Sequence, residues 1–204
     1  MRFLRKLFSK KPEYHWEMTP RERNLFLETI TGAKNYLEWG AGGTTIAVLQ
    51  NYGCRVYCVE SSAEWSLHMQ KAYPQIRAGM ESGQLALKRV DIGKTKAWGV
   101  PADESRKEHW PKYSSEIFGD KIPFDVVLVD GRFRVACALQ AILNTDDNAV
   151  IMVHDFSNRP KYHILLKYLD VAAVADTLVV FKKKEKIDKK QVAADYKKYK
   201  YICD

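Results

Sequence analysis

Tyr36-Leu37-Glu38-Trp39-Gly40-Ala41-Gly42-Gly43-Thr44-Thr45 is the stretch that decides how this chain folds. An apolar run enters a glycine turn, and a helical segment over residues 45–51 follows, the order that a ligand-binding strand–turn–helix unit requires. Glycines suit the turn because they accept positive φ and let a ligand approach the backbone. Thr44 or Thr45 can cap the helix. The open amides at that helix start would receive an anionic or polar group, either the carboxylate of an amino-acid cofactor or a pyrophosphate.

Working outward, short apolar runs at residues 55–60, 85–90, 124–129 and 149–153 alternate with helical segments at 63–73, 134–143 and 162–168. This rhythm predicts βαβ units and a parallel sheet. Two further β-type runs, 171–175 and 177–182, are separated only by Asp176. They are too close for a helical crossover and should pair antiparallel near a sheet edge. Upstream, Thr19-Pro20-Arg21-Glu22 reads as a capping box opening a helix that Gly32 ends. The expected architecture is α/β: a Rossmann-like, doubly wound, mostly parallel seven-stranded sheet with an antiparallel last strand and helices on both faces.

The choice of ligand rests on details of the turn. A dinucleotide fingerprint places a third glycine where Thr45 stands and calls for no acid at the position of Glu38. Glu38-x-Gly40-x-Gly42 instead resembles the first motif of the class I S-adenosylmethionine-dependent methyltransferases, with Thr44 in place of that family's usual last glycine. Glu60 ends the second strand 18 residues after Gly42, which suits a carboxylate accepting ribose hydroxyls. The resemblance covers roughly residues 19–182. It implies S-adenosylmethionine as cofactor, with S-adenosylhomocysteine as product, held by Glu38, Gly40, Ala41, Gly42, Gly43, Thr44, Glu60, Ser61, Asp91, Ile92 and Asp130. More narrowly, Val129-Asp130-Gly131-Arg132-Phe133-Arg134 with Val153-His154-Asp155-Phe156 looks like a group of bacterial methyltransferase-like proteins for which no acceptor is assigned.

Asp130 and His154-Asp155 end neighbouring strands about 4.8 Å apart, so they are candidate catalytic residues. His154 could act as a base near neutral pH, or it could simply terminate the strand through backbone hydrogen bonds. Arg132, Arg134 and Arg159 lie beside the same rim, where guanidinium groups could grip a carboxylate or phosphate on the acceptor. Trp98, Trp110, Tyr113 and Phe118 could form an aromatic wall or pack over the sheet. The expected reaction is O-methylation of a small or saccharide acceptor, possibly anionic. No metal is expected, because metal-dependent O-methyltransferases place Asn directly after the fifth-strand acid, where Phe156 stands.

Composition bounds the alternatives. At 204 residues and 46% apolar content, one domain over residues 19–182 is expected, flanked by a basic amphipathic segment at 1–18 and a Lys/Tyr-rich tail at 183–204. Residues 1–11 could touch an anionic inner-membrane surface, though a frayed or docked terminus is the plainer reading. The tail reads as a solvated helix. The absence of a spanning segment points to the cytoplasm. The net charge of +8 motivates a nucleic-acid-binding alternative, but the charge sits mainly at the ends and no recognition motif accompanies it. A Rossmann-like protein without catalysis, or with other chemistry such as aminopropyl transfer, is the third reading. Cys54, Cys58, Cys137 and Cys203 lack metal spacing, and buried reduced thiols explain the first three best.

Overall fold

The computed structural model describes residues 14–203, so the basic segment 1–11 and its membrane reading lie outside the described residues. Seven strands form one sheet: β1 (Asn35–Trp39), β2 (Arg55–Glu60), β3 (Leu85–Arg89), β4 (Val126–Val129), β5 (Val150–Val153), β6 (Leu169–Ala175) and β7 (Leu178–Lys183). Their order is β3-β2-β1-β4-β5-β7-β6. The pairs among β1 to β5 are parallel, and β7 alone runs against both its neighbours. The expected architecture is therefore the observed one. The strand order reverses between β1 and β4, which opens a crevice at the carboxyl ends of the central strands.

Side chains of the central strands alternate between two cores because strand residues point to opposite faces. Tyr36, Cys58, Val126, Leu128 and Met152 face one way, under α1 (Pro20–Ile30), α2 (Gly43–Asn51), α3 (Ala63–Ala72) and α4 (Pro74–Glu81). Leu37, Trp39, Val59, Val127, Val129, Ile151 and Val153 face the other, under α5 (Trp110–Ser115), α6 (Arg134–Asn144) and α7 (Lys189–Tyr199). Burial on both faces explains why these strands read as continuous apolar runs.

Four details depart from the sequence reading. α4 had no counterpart in the sequence reading: Pro74 starts a new helix, since it fits the first helical turn and holds Tyr73 extended at φ −117°, ψ 108°. The segment at 162–168 is a 3₁₀ run, Pro160–Lys167. The long connection 93–123 contains α5 and three short 3₁₀ turns. α7 is docked rather than solvated, with Val192 fully buried and Asp188 capping it by accepting from the amides of Lys190 and Gln191. Beneath α7, the nearly enclosed Asp195 carboxylate accepts from the Tyr168 hydroxyl at 2.6 Å and pairs with Lys198 at 2.8 Å.

Among the described residues there is no disulfide, and Cys54, Cys58 and Cys137 are buried. No helix among them is long and apolar enough to cross a membrane.

Candidate functional site

The carboxyl ends of β1, β2, β4 and β5 meet around the glycine turn. Gly40 takes φ +95°, and a Cβ there would stand 3.1 Å from the Gly131 Cα. A Cβ on Gly131 would strike the Tyr113 hydroxyl. The turns after β1 and β4 thus touch backbone to backbone, which only glycine permits. On the other side, a Cβ on Gly43 would lie 2.5 Å from the His15 carbonyl oxygen, so the segment before α1 runs directly over the start of α2.

Glu38 is fully buried and bonds the turn from beneath. Its Oε2 accepts from the Tyr36 hydroxyl at 2.9 Å and from Thr44 at 2.8 Å, while Oε1 has no hydrogen-bond partner. Burial pushes its pKa up to about 7 against the pull of these hydroxyl donors. Neither Thr44 nor Thr45 is the helix cap that the sequence suggested. Thr44 is spent on Glu38, Thr45 accepts from the Gly42 amide at 2.9 Å, and Gly42 itself occupies the cap position.

Glu60 ties the second strand to the glycine turn. Oε1 accepts from the Ser61 and Ser62 amides, each at 2.7 Å, and Oε2 accepts from the Ala41 amide at 3.2 Å. Burial raises its pKa and these amides oppose the rise. Trp65 of α3 braces the same turn by donating from Nε1 to the Ala41 carbonyl at 2.7 Å. Beside it opens a cleft of about 290 Å³ lined by Ser61, Ser62, Arg89 and Asp91, among others. Asp91 is exposed there, its pKa lowered by the Gly93 amide that donates to it at 2.9 Å. Ile92 is 0% exposed and its side chain packs into the core.

At the β4–β5 rim the structure brings Asp130, His154, Asp155 and Arg134 into one cluster. His154 Nδ1 lies 2.9 Å from Asp130 Oδ1, and its Nε2 lies 3.5 Å from Glu22 Oε2 on α1. Burial lowers the imidazole pKa, but the Asp130 bond and charge outweigh it, and the net shift is upward. For Asp130, burial would raise the pKa, yet Arg134 and then His154 hold it below the ordinary range. His154 is buried with a carboxylate at each ring nitrogen, so it does not present an open base to the cleft.

Arg134 is a clamp inside the protein. It donates to the Gly131, His154 and Asp130 carbonyls at 3.0, 2.6 and 3.1 Å and pairs with Asp130 and Asp155, both at 3.0 Å. Buried and so engaged, it has no fork left to grip an acceptor, contrary to the sequence expectation. Asp155, at φ +58°, also accepts from Arg159 at 2.7 Å, and Arg159 continues to the Tyr162 hydroxyl at 3.1 Å.

The aromatic residues of the long connection divide. Trp110 and Tyr113 are buried and Phe118 packs against the same core. Trp98 is 72% exposed at the tip of a small hairpin, where the Lys96 amide donates to Val100 and the Ala102 amide to Lys94, both at 2.7 Å. A Cβ on the adjoining Gly99 would lie 3.0 Å from Ser61 Oγ and 3.8 Å from Arg132 Cγ. The hairpin therefore spans the rim from β2 to β4. Among the described residues, no group of three or more His, Cys, Asp or Glu side chains is arranged to hold a metal ion.

Glu22, Gly131 and Trp65 belong to this site but were not singled out as site residues from sequence. Glu22 was read only as a capping-box residue, which it is, accepting from the Thr19 amide at 2.8 Å. Its other oxygen accepts from Thr177 and Leu178, more than 150 positions away.

The sheet order and the glycine turn at the crevice define the class I methyltransferase fold. Within that fold, the chain is similar to a methyltransferase-like protein from Silicibacter pomeroyi DSS-3, with TM-score 0.80 and 26% identity over 93% of this chain and 98% of that one. The C-terminal domain of precorrin-6Y C5,15-methyltransferase from Rhodobacter capsulatus shares the fold at TM-score 0.52 and 12% identity, over 84% of this chain and 93% of that one. The Bacillus subtilis tRNA methyltransferase TrmK does so at TM-score 0.50 and 9% identity, over 83% and 68%. No protein-family model matches the sequence, and no curated protein matches it.

Proposed function

We propose that this chain is an S-adenosylmethionine-dependent methyltransferase acting on a hydroxyl of a small or saccharide acceptor that carries negative charge. The observation that carries this reading is Glu60, whose carboxylate is bonded to the glycine turn through the Ala41 amide and to the amides of Ser61 and Ser62, the two residues that begin the lining of an open cleft reaching Asp91. Its Oε1 already receives two amides and its Oε2 only one, so Oε2 can accept a ribose hydroxyl. The glycine turn and the start of α2 then suit the carboxylate end of an amino-acid cofactor. These residues fit the cofactor.

When bound, that cofactor would supply a methyl group on a positively charged sulfur, the methyl C–S bond breaking as the bond to the acceptor oxygen forms and S-adenosylhomocysteine being the leaving group. Of the rim carboxylates, which are about equally exposed, Asp130 is the one assigned to the acceptor, because Asp155 is held by the guanidiniums of both Arg134 and Arg159. Asp130 stays ionised at neutral pH, orients the hydroxyl and takes its proton as the new C–O bond forms. His154 supports Asp130 from behind. Arg132 and Trp98 flank the acceptor's side of the rim, and Arg159 adds positive charge beyond Asp155. Peripheral membrane contact through residues 1–11 and a cytoplasmic location accompany this reading as proposals.

A second reading, a nucleotide-binding protein without methyl transfer, is favoured by the commitment of His154, Asp155 and Arg134 to one another. Calorimetric titration with S-adenosylmethionine, S-adenosylhomocysteine and NAD tests the cofactor. Binding of the first two alone, weakened about tenfold or more by Glu60→Ala, is the expected result, since a hydrogen bond to a charged group contributes about 1.5–3 kcal/mol. Absence of binding to either sulfur compound sinks the methyltransferase reading.

A further inference from the structure

We propose that Glu22 is a positioning residue of the rim: from α1 it completes a buried chain, Glu22–His154–Asp130, that keeps His154 an imidazolium and thereby fixes the Asp130 carboxylate. The inference rests on the methyl-transfer reading for the purpose of the chain, but not for its existence.

The geometry carries it. Glu22 is 1% exposed, yet it is fully supported as an anion. Thr177 donates to Oε1 through its amide at 2.9 Å and its hydroxyl at 2.6 Å, Leu178 donates at 3.2 Å, and the Thr19 amide donates to Oε2 at 2.8 Å. A carboxylate with that many donors stays ionised in the interior. Its remaining direction meets His154 Nε2 at 3.5 Å, while Nδ1 faces Asp130 at 2.9 Å. A neutral ring would carry one N–H, leaving an imidazole lone pair against one of the two carboxylates, which costs far more in a buried site than protonating the ring.

The charges around the ring come from every element packed on it. They are Glu22 on α1, Asp130 after β4, Arg134 on α6, and Asp155 after β5, with Arg132 acting on Asp130 and Arg159 on Asp155. Arg134 is the cation that opposes protonation of His154, and the carboxylates on either side of the ring outweigh it. Burial and Arg134 lower the imidazole pKa, the Asp130 bond and charge together with Asp155 raise it on balance, and Glu22 places a further carboxylate 3.5 Å from Nε2. The consequence for the rim is positional. With both nitrogens protonated, Nδ1 bonded to Asp130 and Nε2 facing Glu22, His154 has no second tautomer to adopt, so Asp130 Oδ1 is pinned between His154 and Arg134.

The test uses the intact chain and nitrogen-detected NMR of the histidine rings, with His154 assigned by the signal lost in His154→Gln. In the wild type at pH 7, both His154 nitrogens should carry protons. In Glu22→Gln the His154 pKa should fall by about one unit or more, the size expected for removing a close opposite charge. Thr177→Val is the control, since it removes one hydrogen bond to Glu22 but no charge, and it should leave the His154 pKa within about 0.3 unit. A wild-type ring protonated on one nitrogen only overturns the proposal, even if Glu22→Gln fails to fold. So does a Glu22→Gln protein whose His154 titrates as in the wild type, or a Thr177→Val protein that shifts it equally. None of these readouts requires cofactor or acceptor, so failure here is distinct from failure to bind S-adenosylmethionine.

Discussion

Glu38 and Glu60 are both acids at strand ends, and the fold treats them differently. Glu60 receives three backbone amides, whereas Glu38 receives two hydroxyls on one oxygen and nothing on the other. Ionised Glu38 is therefore poorly supported, and its pKa of about 7 means the folded protein holds its proton longer than the unfolded chain, whose ordinary value is 4.5. The sign follows from proton binding. Between pH 4.5 and 7 the unfolded chain gives up the proton first, so stability falls as pH rises through that window and is level above it. Glu38→Gln removes the titration. Relative to wild type, its stability should improve by roughly 2–4 kcal/mol between pH 5 and pH 8, measured by urea unfolding at both values. An unchanged difference at the two pH values would mean that Glu38 is solvated in a way its burial does not suggest.

Among the elements, those with a local signal were legible and those set by distant packing were not. The five central strands announce themselves as apolar runs because both faces of the sheet are covered, and Gly40-Ala41-Gly42-Gly43 marks the turn at β1. α4 was missed because Pro74 reads as a breaker, although it is equally a helix starter. The rim was legible as a set of strand ends, Asp130 and His154-Asp155, but its wiring was not. Nothing near Glu22 in sequence says that it meets Thr177 and His154, and nothing near Arg134 says that its fork is consumed by three carbonyls and two carboxylates. α7 is the clearest case of distance overriding composition. Its lysines suggested a solvated tail, yet the single fully buried Val192 and the Asp195–Tyr168 bond dock it on α6 and the 3₁₀ run. Val192→Ala should cost about 2 kcal/mol in urea unfolding, from lost transfer energy and the cavity left behind. It should also speed tryptic cleavage at the α7 lysines. Cleavage at the wild-type rate would mean that α7 is held by its polar contacts alone.

For the molecule as a whole, a crevice built at the point where the strand order reverses couples ligand binding to global stability, because both halves of the sheet contribute to it. Glu60 and Asp91 come from the β2–β3 side, and Asp130 and Gly131 from the β4–β5 side, with Gly40 in backbone contact with Gly131 between them. A ligand that seats against both sides binds only the folded state. At a free concentration one hundred times its Kd it adds about 2.7 kcal/mol to unfolding. For a domain of this size each kcal/mol moves Tm by about 2–4 °C, so S-adenosylhomocysteine should raise Tm by roughly 5–11 °C. The product is the better probe than the substrate, because it occupies the same groups without a reactive methyl. NAD at equal concentration should leave Tm in place, since Thr45 stands where its fingerprint requires glycine. The shift should shrink markedly in Glu60→Ala, measured at the same ligand concentration, because removing the carboxylate raises Kd and with it the concentration needed for the same stabilisation. A full shift in that variant would place the ligand away from the β2 end and move the site toward the glycine turn alone. A shift with NAD instead would return the turn to the pyrophosphate reading that its exposed amides also permit.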